Sequence, residues 1–487
     1  MGRAVETIRM TDRNDLCSWS ARELAAGIRS KLISSREATE AALARIEQLN
    51  PGINAVVTVT AELARKQAKA ADEAVARGDD LRPLHGVPYT LKDLTATAGI
   101  RTSMGSKVFD SVPTRDDIVA ERLRERGGGV LIGKTNTPDN GCKGVTDNMI
   151  FGATGNPWDT GRTPGGSSGG AAAAVATGMG AIAEGSDFAG SIRIPAAFCG
   201  LVGLKPSVGR IAAEDPMLWH PIRNCHGPIT RTVADAALAL QLMAGPDPRD
   251  PVSLADGPHD FLAAATGDLS VKGLRVGYSP NLNVVPVEAA VRTLCLEALT
   301  AFESLGAEIS EIDVDFRDSI GPYGLINAYL RAALIDDVFP GRKDEIDPLM
   351  GLRADLAAKA TATQVGLAEK AQSAIYHRVR RLFEQYDVIV TPTTPVPAFP
   401  LGINYPAIID GVAINSPFEQ LGLTSVFNLT GHPAISVPAG WTDAGLPVGL
   451  QIVGPWRDDE RVLKVAAAYE QARPWRHLWP AMVEALA

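Results

Sequence analysis

The sequence contains few of the residues that build disulfide frameworks or metal centres. Five of its 487 residues are cysteines and seven are histidines. No two cysteines form a C-x-x-C pair, the number of cysteines is odd, and no two histidines stand in an H-x-x-x-H spacing. These absences argue against a disulfide scaffold and against a zinc site. They predict reduced, structural thiols in a cytoplasmic protein that holds no metal.

Long apolar runs and blocks of like charge are also missing. The first residues, MGRAVETIRMTDRND, lack the apolar core of a signal peptide. The charge-free segment Thr163–Ala183 is mostly glycine, serine and alanine and contains Pro164, which favours a buried helix over a membrane span. The net charge of −9, from 47 basic and 56 acidic residues, argues against a nucleic-acid surface.

The composition and the pattern of elements predict a large α/β protein. Apolar residues make up 45% and charged residues 21% of the chain, as in globular proteins. Capping boxes at Ser20 and Ser34 predict two helices, the second ending near Asn50. Strands are expected at 53–59, 85–93, 130–133 and 202–206, and as a C-terminal pair in HPAISVPAG and GLPVGLQIVG. We expect one domain over 1–487, with a more helical insertion at about 256–387 that shapes the substrate pocket.

Two short motifs match known patterns but lie in the wrong surroundings. Gly128–Thr135 fits the phosphate-loop pattern G-x-x-x-x-G-K-[ST], yet the expected strand Val130–Ile132 lies inside the motif, and Pro138 follows where a helix should run. Gly165–Gly169 fits the G-x-S-x-G nucleophile elbow, yet Pro164 and a turn stand where a strand should precede the serine. Neither nucleotide binding nor a Ser-His-Asp hydrolase of that fold is favoured.

The segment RTPGGSSGGAAAAVATG, Arg162–Gly178, is a candidate site. Its glycine-serine loop leads into an alanine helix that has no charge and is therefore expected to be buried. The free N–H groups at the start of such a helix stabilise negative charge. Ser167 and Ser168 would lie in a dry site beside an end that favours an alkoxide. The same segment alone fits a tight structural turn equally well.

A second segment, GSDFAGSIRIPAAFCG at Gly185–Gly200, adds a candidate nucleophile. Ser191 follows Phe188–Gly190, whose backbone N–H groups could face a developing oxyanion. Asp187 and Arg193 flank this loop with opposite charges and could fix it. Serine in a glycine-rich loop is nevertheless often structural.

Lys92 is the third candidate, because it follows the apolar strand VPYTL. Its amine could therefore lie at the edge of the core, where desolvation lowers the pKa of a lysine and lets it act as a base. The alternative is an exposed Lys-Asp turn with no chemical role.

Together the three segments resemble the amidase signature family of serine hydrolases. That family has a G-G-S-S-G-G loop, then a G-T-D-x-G-G-S-I-R-x-P-A segment, with an upstream lysine in G-x-P-x-x-x-K-D. The sequence carries GGSSGG at 165–170, GSDFAGSIRIPA at 185–196 and GVPYTLKD at 86–93. GKTNTP, FGATGNPWD and CGLVGLKPSVGR also resemble family segments. The resemblance runs from about Leu16 to the last helix. It implies a three-layer α/β/α fold with a mixed central β-sheet covered by helices on both faces.

The resemblance also implies a Ser–cis-Ser–Lys triad. Ser191 matches the nucleophile, Ser167 the bridging serine on a cis peptide, and Lys92 the base. The other matching positions form the oxyanion hole or support it: Phe188, Ala189 and Gly190 for the hole, and Ser168, Asp187 and Arg193 for the support. An acyl-enzyme would form on Ser191 and be released by water, with no metal and no cofactor.

The sequence departs from the family pattern at two places. Ser186 replaces the usual threonine and keeps the hydroxyl. Phe188 and Ala189 replace a small or aliphatic residue and a glycine. Because the hole would use backbone N–H groups, alanine fits if its φ is negative, whereas a positive φ would strain it.

The expected function is hydrolysis of a small-molecule amide, with apolar or aryl acyl groups favoured. Family members that release ammonia from glutamine for transfer-RNA amidation usually carry glutamine where Ile194 stands. Met217–Trp219 favours an apolar substrate, although ordinary core packing explains these residues equally well. The alternatives are carbamate (urethane) or ester hydrolysis, the role of the A subunit of a glutamine-dependent tRNA amidotransferase, and a non-enzymatic scaffold. We expect neither nucleic acid nor membrane as a partner; a homodimer is left open.

Overall fold

The strands that form the framework were assigned in a computed structural model that describes residues 15–215, 217–338 and 341–486. Predictions about the N-terminal stretch MGRAVETIRMTDRN concern residues outside that part. The strands, in chain order, are β1 (Val56–Val59), β2 (Pro88–Lys92), β3 (Val130–Thr135), β4 (Asp147–Asn148), β5 (Gly152–Ala153), β6 (Ile182–Asp187), β7 (Val202–Lys205), β8 (Cys225–Thr230), β9 (Arg275–Tyr278), β10 (Glu308–Glu311), β11 (Val388–Pro392), β12 (Ile408–Ile409), β13 (Val412–Ala413), β14 (Ala434–Trp441) and β15 (Pro447–Val453).

Helices pack against the strands or against one another. None of the described helices is long and apolar enough to cross a membrane. In chain order they are α1 (Ala21–Arg29), α2 (Ser35–Ile53), α3 (Ala61–Arg77), α4 (Ile118–Arg122), α5 (Gly169–Ala176), α6 (Arg193–Cys199), α7 (Val233–Met243), α8 (Phe261–Thr266), α9 (Ala289–Ser304), α10 (Ile320–Val338), α11 (Pro348–Ala358), α12 (Ala362–Leu382), α13 (Pro417–Gln420), α14 (Gly422–Leu429), α15 (Asp459–Ala472) and α16 (Ala481–Glu484).

Eleven strands form one sheet in the order β1-β3-β2-β6-β8-β7-β14-β15-β11-β9-β10. The sheet is mixed: β2 pairs in parallel with both β3 and β6, whereas β14 pairs antiparallel with both β7 and β15. Helices cover both sides, which confirms the predicted α/β class with a mixed central sheet. The remaining strands form two short hairpins, β4-β5 and β12-β13.

The local signals for the first helices are confirmed. Ser20 and Ser34 each accept a hydrogen bond from the third helical N–H, and the glutamates at those positions reach back to complete both capping boxes. Helix α2 ends at Ile53, later than predicted, because Asn54 takes the left-handed conformation that closes the helix. Strand β1 consequently begins at Val56 and not at Ile53.

The region 256–387, predicted as a more helical insertion, contains both helices and strands. It contains the long helices α9, α10 and α12, but also strands β9 and β10, which form one edge of the main sheet. Both strands have only four residues, so their alternation is overshadowed in the sequence by the long helical patterns around them. Within this region, α10 contributes residues to the large cavity described below.

The segment that matches the phosphate-loop pattern is mostly strand. Strand β3 covers Val130–Thr135, and Lys134 is buried, where its amine contacts the carbonyl of Thr95 and lies 2.9 Å from Thr97 Oγ1. The lysine therefore supports a loop and does not face a phosphate site, as the sequence context predicted.

The site residues meet at one edge of the sheet. Strands β2 and β6 are parallel neighbours, so their carboxyl ends, Lys92 and Ser186–Asp187, lie side by side. The loop before α5 reaches the same edge. All residues of α5 are buried, as its lack of charge predicted. A Cβ at Gly170 would lie 2.4 Å from the backbone nitrogen of Asn136, so glycine lets this helix begin against the segment after β3.

Candidate active site

Lys92 is a fully buried lysine whose contacts are mostly hydroxyl groups. Its Nζ donates to Ser167 Oγ at 2.7 Å and to Ser186 Oγ at 3.0 Å, and lies 3.5 Å from the carbonyl oxygen of Ser186. Burial lowers its pKa to about 7, against the opposing influence of nearby carboxylates. A large fraction of this amine is therefore neutral near physiological pH, and a neutral amine can accept a proton.

The serine loop is tied to the end of β6 by Ser168. Its N–H donates to the carbonyl oxygen of Ser191 at 3.1 Å, and its Oγ donates to the carbonyl oxygen of Ser186 at 3.3 Å. The Gly166–Ser167 peptide bond is cis. The loop thus places the Ser167 hydroxyl beside Lys92 while Ser168 connects it to the segment that carries Ser191.

A buried ion pair fixes that segment. Asp187 and Arg193 are both fully buried, with Arg193 Nη2 2.9 Å from Asp187 Oδ1 and Arg193 Nε 3.0 Å from Asp187 Oδ2. Burial alone would raise the pKa of Asp187, but the charge and hydrogen bonds of Arg193 hold it well below its usual value. The guanidinium also donates to Gln451 Oε1 at 2.6 Å and to Asn428 Oδ1 at 2.7 Å. Both members of this pair are hydrogen-bonded, so the role of the pair is to hold the backbone.

The backbone N–H groups of the loop do not all face the same way. Gly190 N–H donates to Asp187 Oδ1 at 2.7 Å and is therefore not free, in contrast to the sequence-based expectation. The N–H groups of Phe188, Ala189 and Ser191 make no hydrogen bond with described residues. Ala189 is not among the residues with positive φ, so its backbone is not strained in that way; the positive φ of 117° belongs to Gly190.

Ser191 lies on the segment that Ser168 contacts, but its hydroxyl makes no hydrogen bond with Lys92 or Ser167. Its side chain is almost buried, and no hydrogen bond joins its hydroxyl to that of Ser167 among the described residues. Ser191 lines a small cavity of about 20 Å³, whereas Ser167 lines a larger one of about 440 Å³. Both cavities are lined by Gly141, Phe188 and Arg331, so the two adjoin at the loop Phe188–Ser191, which we call the donor loop.

The larger cavity has an apolar wall and a polar end. Apolar side chains from several segments form the wall, among them Leu94, Met104, Phe109, Met217, Leu330 and Leu334. The polar end contains Ser186, His226, Asp117 and Asp215. Met217 therefore lines the cavity, but Trp219 is 75% exposed and belongs neither to the cavity wall nor to the core.

Several residues of the site were not predicted from the sequence. They contact the donor loop, the Asp187–Arg193 pair that fixes it, or strand β2, which carries Lys92, directly or through one another: Glu184, His226, Tyr323, Thr424, Asn428 and Gln451. Three of them, Tyr323, Thr424 and Asn428, lie more than a hundred positions from the three motifs, and their spacing carries no signal. Gln451 lies in the predicted strand GLPVGLQIVG, but a strand pattern does not reveal its partner. Glu184, by contrast, follows the charge-free run directly, and a lone carboxylate entering a buried strand is a signal for a buried partner.

Comparison with known proteins agrees with this geometry. The family model described as Amidase matches residues 37–463. An acylamidase of Rhodococcus erythropolis is 42% identical over 97% of this chain and 99% of its own length. The A subunit of the glutamyl-tRNA(Gln) amidotransferase of Carboxydothermus hydrogenoformans is 39% identical over 93% of this chain and 96% of its own. The solved structure of a bacterial aryl acylamidase superposes with a TM-score of 0.89, at 32% identity, over 96% of this chain and 98% of that one. By sequence and by fold, the chain belongs to the amidase signature family.

Proposed function

We propose that this protein is an amidase that cleaves carboxylic amides with apolar or aryl acyl groups through an acyl-enzyme on Ser191. The observation that carries the proposal is the buried contact of Lys92 Nζ with Ser167 Oγ at 2.7 Å, next to a loop in which three N–H groups make no hydrogen bond with described residues. A neutral lysine, a bridging hydroxyl and a second serine form a chain along which one proton can move.

In the proposed mechanism, the Ser191 hydroxyl turns toward Ser167 when substrate binds, because hydrogen bonds between catalytic groups often tighten only in the complex. Lys92 accepts a proton from Ser167 while Ser167 accepts one from Ser191, and Ser191 Oγ attacks the carbonyl carbon. The N–H groups of Phe188, Ala189 and Ser191 are the candidate donors to the oxyanion. Gly190 acts through its bond to Asp187, which fixes the loop. Ser167 then gives its proton to the leaving amine and regains one from the Lys92 ammonium. In deacylation, water gives a proton to Ser167, whose own proton passes to Lys92, and attacks the acyl carbon; the acid leaves as the proton returns to Ser191.

The apolar cavity wall and the acylamidase relatives both support an apolar or aryl acyl group. A glutaminase role in transfer-RNA amidation is the second candidate, since a relative of that name is 39% identical. The site favours it less, because Ile194 stands where glutamine is expected and apolar side chains such as Phe109 and Met217 form part of the cavity wall. Carbamate and ester hydrolysis use the same acyl chemistry and are tested with the amides.

We further propose that residues 1–487 form one domain, since all eleven strands of the main sheet hydrogen-bond continuously. Cytoplasmic placement is proposed from the five cysteines, none of which is in a disulfide. These two proposals are independent of the substrate.

The test is covalent labelling by a fluorophosphonate probe, combined with turnover of anilides, aliphatic amides, glutamine, carbamates and esters. Ser191→Ala should abolish labelling and lower kcat by up to about 10⁶. Ser18→Ala is the control, because the Ser18 hydroxyl donates to the carbonyl oxygen of Asp15 and Ser18 lines neither cavity. A Ser191→Ala enzyme within tenfold of the wild-type rate would refute the assignment. Exclusive turnover of glutamine would favour the amidotransferase role.

A further inference from the structure

His226 is a buried histidine whose position the proposed mechanism does not use. It lies on β8 directly opposite Ser186 of β6, so the two side chains point to the same face of the sheet. Its Nδ1 is 2.8 Å from Glu184 Oε1, and both side chains are more than nine-tenths buried. Its Nε2 makes no hydrogen bond with a described residue, and the residue lines the large cavity beside Ser167 and Ser186.

Glu184 connects this histidine to the lysine strand. Its Oε2 accepts the backbone N–H of Lys92 at 3.0 Å and the hydroxyl of Thr95 at 2.9 Å, while its Oε1 faces His226. The carboxylate is thus satisfied by three partners and is not available to a ligand. The remaining polar atom of the pair is His226 Nε2, on the cavity side.

The surrounding charges make that nitrogen a hydrogen-bond donor. Burial alone would lower the pKa of His226, but its hydrogen bond to Glu184 and the nearby carboxylates of Asp117 and Asp215 raise it to about 9. Asp117 faces the histidine from the start of α4 and Asp215 from the loop before β8; burial raises the pKa of both. At neutral pH the imidazole is therefore protonated on both nitrogens.

The same charges decide which ligand group fits. Glu184 already neutralises the imidazolium, and Asp215 is paired with Arg223, whose Nε lies 3.2 Å from its Oδ2. Asp117 forms no ion pair with a described residue, so a carboxylate or phosphate at Nε2 would be repelled by it, whereas a neutral oxygen would gain a charge-assisted hydrogen bond. A purely hydrocarbon ligand would leave a buried donor without a partner, which is unfavourable.

We propose that His226 is a substrate-binding residue, which donates from Nε2 to a neutral acceptor oxygen, such as an ether or a second carbonyl, on the part of the substrate held in the large cavity. The preferred substrates are then amides whose apolar body carries one such oxygen. The inference rests on the proposed amidase function and names its substrate class more narrowly.

The experiment compares matched pairs of amides that differ by one oxygen. One series consists of N-hexanoyl anilides in which an ether oxygen replaces each chain methylene in turn; a second series places the oxygen in a side chain of the aniline. Values of kcat/KM are measured for wild type, His226→Phe and His226→Gln. His377→Phe, which removes an exposed imidazole on α12, is the matched control.

For wild type, kcat/KM of the ether should exceed that of the matched hydrocarbon by about 10- to 100-fold at one oxygen position in one series. This is the gain expected for a hydrogen bond to a charged donor. His226→Phe should bring this ratio close to the intrinsic reactivity ratio of the two amides, while His226→Gln should keep part of it. The wild-type ratio should fall above pH 9, where the imidazole loses its proton and Nε2 becomes an acceptor. A histidine that only supports the fold would change both members of a pair equally.

Wild-type ratios within about twofold of the intrinsic ratio at every position would overturn the inference. A ratio that survives unchanged in a folded His226→Phe enzyme would overturn it as well, since the oxygen would then be bound elsewhere. If His226→Phe does not fold, the test rests on wild type alone: an ether preference that falls above pH 9 supports the inference, and one that does not fall overturns it. If the wild-type enzyme is not labelled by the fluorophosphonate at Ser191, the amidase function itself is refuted. If it is labelled and active but shows no ether preference, only this inference is refuted.

Discussion

Two fully buried cations lie within one site and are treated in opposite ways by their surroundings. Arg193 contacts the carboxylate of Asp187 through two nitrogens and also donates to side-chain oxygens of Gln451 and Asn428. The amine of Lys92 makes no hydrogen bond or ion pair with a carboxylate among the described residues; it donates to the hydroxyls of Ser167 and Ser186 and lies 3.5 Å from one carbonyl oxygen. The first cation is neutralised where it lies, and the second is not.

The difference separates a structural charge from a reactive amine. A paired guanidinium stays charged at every physiological pH and holds the loop that carries Ser191. An unpaired, buried ammonium is unfavourable, so the lysine gives up its proton easily, with a pKa of about 7. The comparison predicts that changes at Lys92 affect rate and changes at Asp187 or Arg193 affect stability.

Among changes that test the two basic side chains and their partners, loss of the proton relay should have the largest effect. Lys92→Met and Ser167→Ala should each lower kcat/KM for amides by about 10²–10⁴, the usual contribution of acid–base catalysis. The double variant should be little worse than either single one, because both residues act on the same proton. Matched esters should lose less than amides, since an alcohol leaving group needs the proton of Ser167 less. Steady-state kinetics on one amide–ester pair measures all of these effects.

Lys205→Met is the control for the relay. Lys205 is also fully buried with a lowered pKa; its Nζ donates to the carbonyl oxygen of Pro206 at 2.9 Å and makes no hydrogen bond with Ser167, Ser186 or Ser191. Its loss should leave the amide–ester ratio unchanged. Fully additive losses for Lys92→Met and Ser167→Ala, or equal losses for amide and ester, would contradict the relay and return Ser167 to a structural role.

The second prediction tests the paired cation. Arg193→Met leaves the Asp187 carboxylate buried without a counter-charge, which should lower the free energy of unfolding by about 3–5 kcal/mol. Asp187→Asn leaves the guanidinium without its carboxylate and should lower the free energy of unfolding by a similar amount. The double variant should be destabilised by less than the sum of the two single changes. Urea unfolding measures these changes. Lys92→Met, by contrast, should be no less stable than wild type, and a loss of the same size there would erase the distinction between the two cations.

The third prediction uses pH to separate the two cations. The active form of Lys92 is neutral, so kcat/KM should rise with pH through an apparent pKa near 7 and fall about tenfold per pH unit below it. Asp187, whose pKa Arg193 holds well below its usual value, does not change charge in this range. The rate of fluorophosphonate labelling should follow the same curve, whereas Lys92→Met should be flat. A rate maximum near pH 5 in a folded enzyme would contradict a lysine base.

Sequence reasoning reached the parts of the site that lie in continuous motifs. Lys92 and Ser167 are in hydrogen-bond contact, and Ser191 lies on the segment whose carbonyl oxygen Ser168 contacts. That the three residues act as one triad stays a prediction. Sequence reasoning did not find that Gly190 N–H faces Asp187, since residue spacing does not say which peptide group a carboxylate binds. It also missed Thr424, because contacts made by distant helices depend on packing that no local pattern encodes. Strands β9 and β10 were missed for a different reason: each has only four residues and lies between longer helical patterns.

The smallest expected effect concerns the peptide that joins Ala189 and Gly190. Thr424 Oγ1 lies 2.6 Å from the carbonyl oxygen of Ala189, and the N–H on the same peptide, that of Gly190, donates to Asp187. A Cβ at Gly190 would lie 2.3 Å from Thr424 Oγ1, so the helix and the loop are in close contact. Thr424→Val removes one of the two anchors and keeps the shape of the side chain. Asp187 still accepts the N–H of this peptide, so only one neutral hydrogen bond is lost. The rate constant kcat should therefore fall by about 2- to 12-fold.

That loss should appear in kcat rather than KM if the peptide positions the donor loop for the transition state, since ground-state binding of the apolar body does not involve it. Thr430→Val, at the end of the same helix, loses a buried hydroxyl that contacts the carbonyl of Val426 and is the matched control. In an Asp187→Asn background the Thr424→Val effect should grow, because the peptide then lacks its other charged anchor. Equal losses in kcat for Thr424→Val and Thr430→Val, or an effect confined to KM, would show that Thr424 supports only the helix and that the ion pair alone orders the loop.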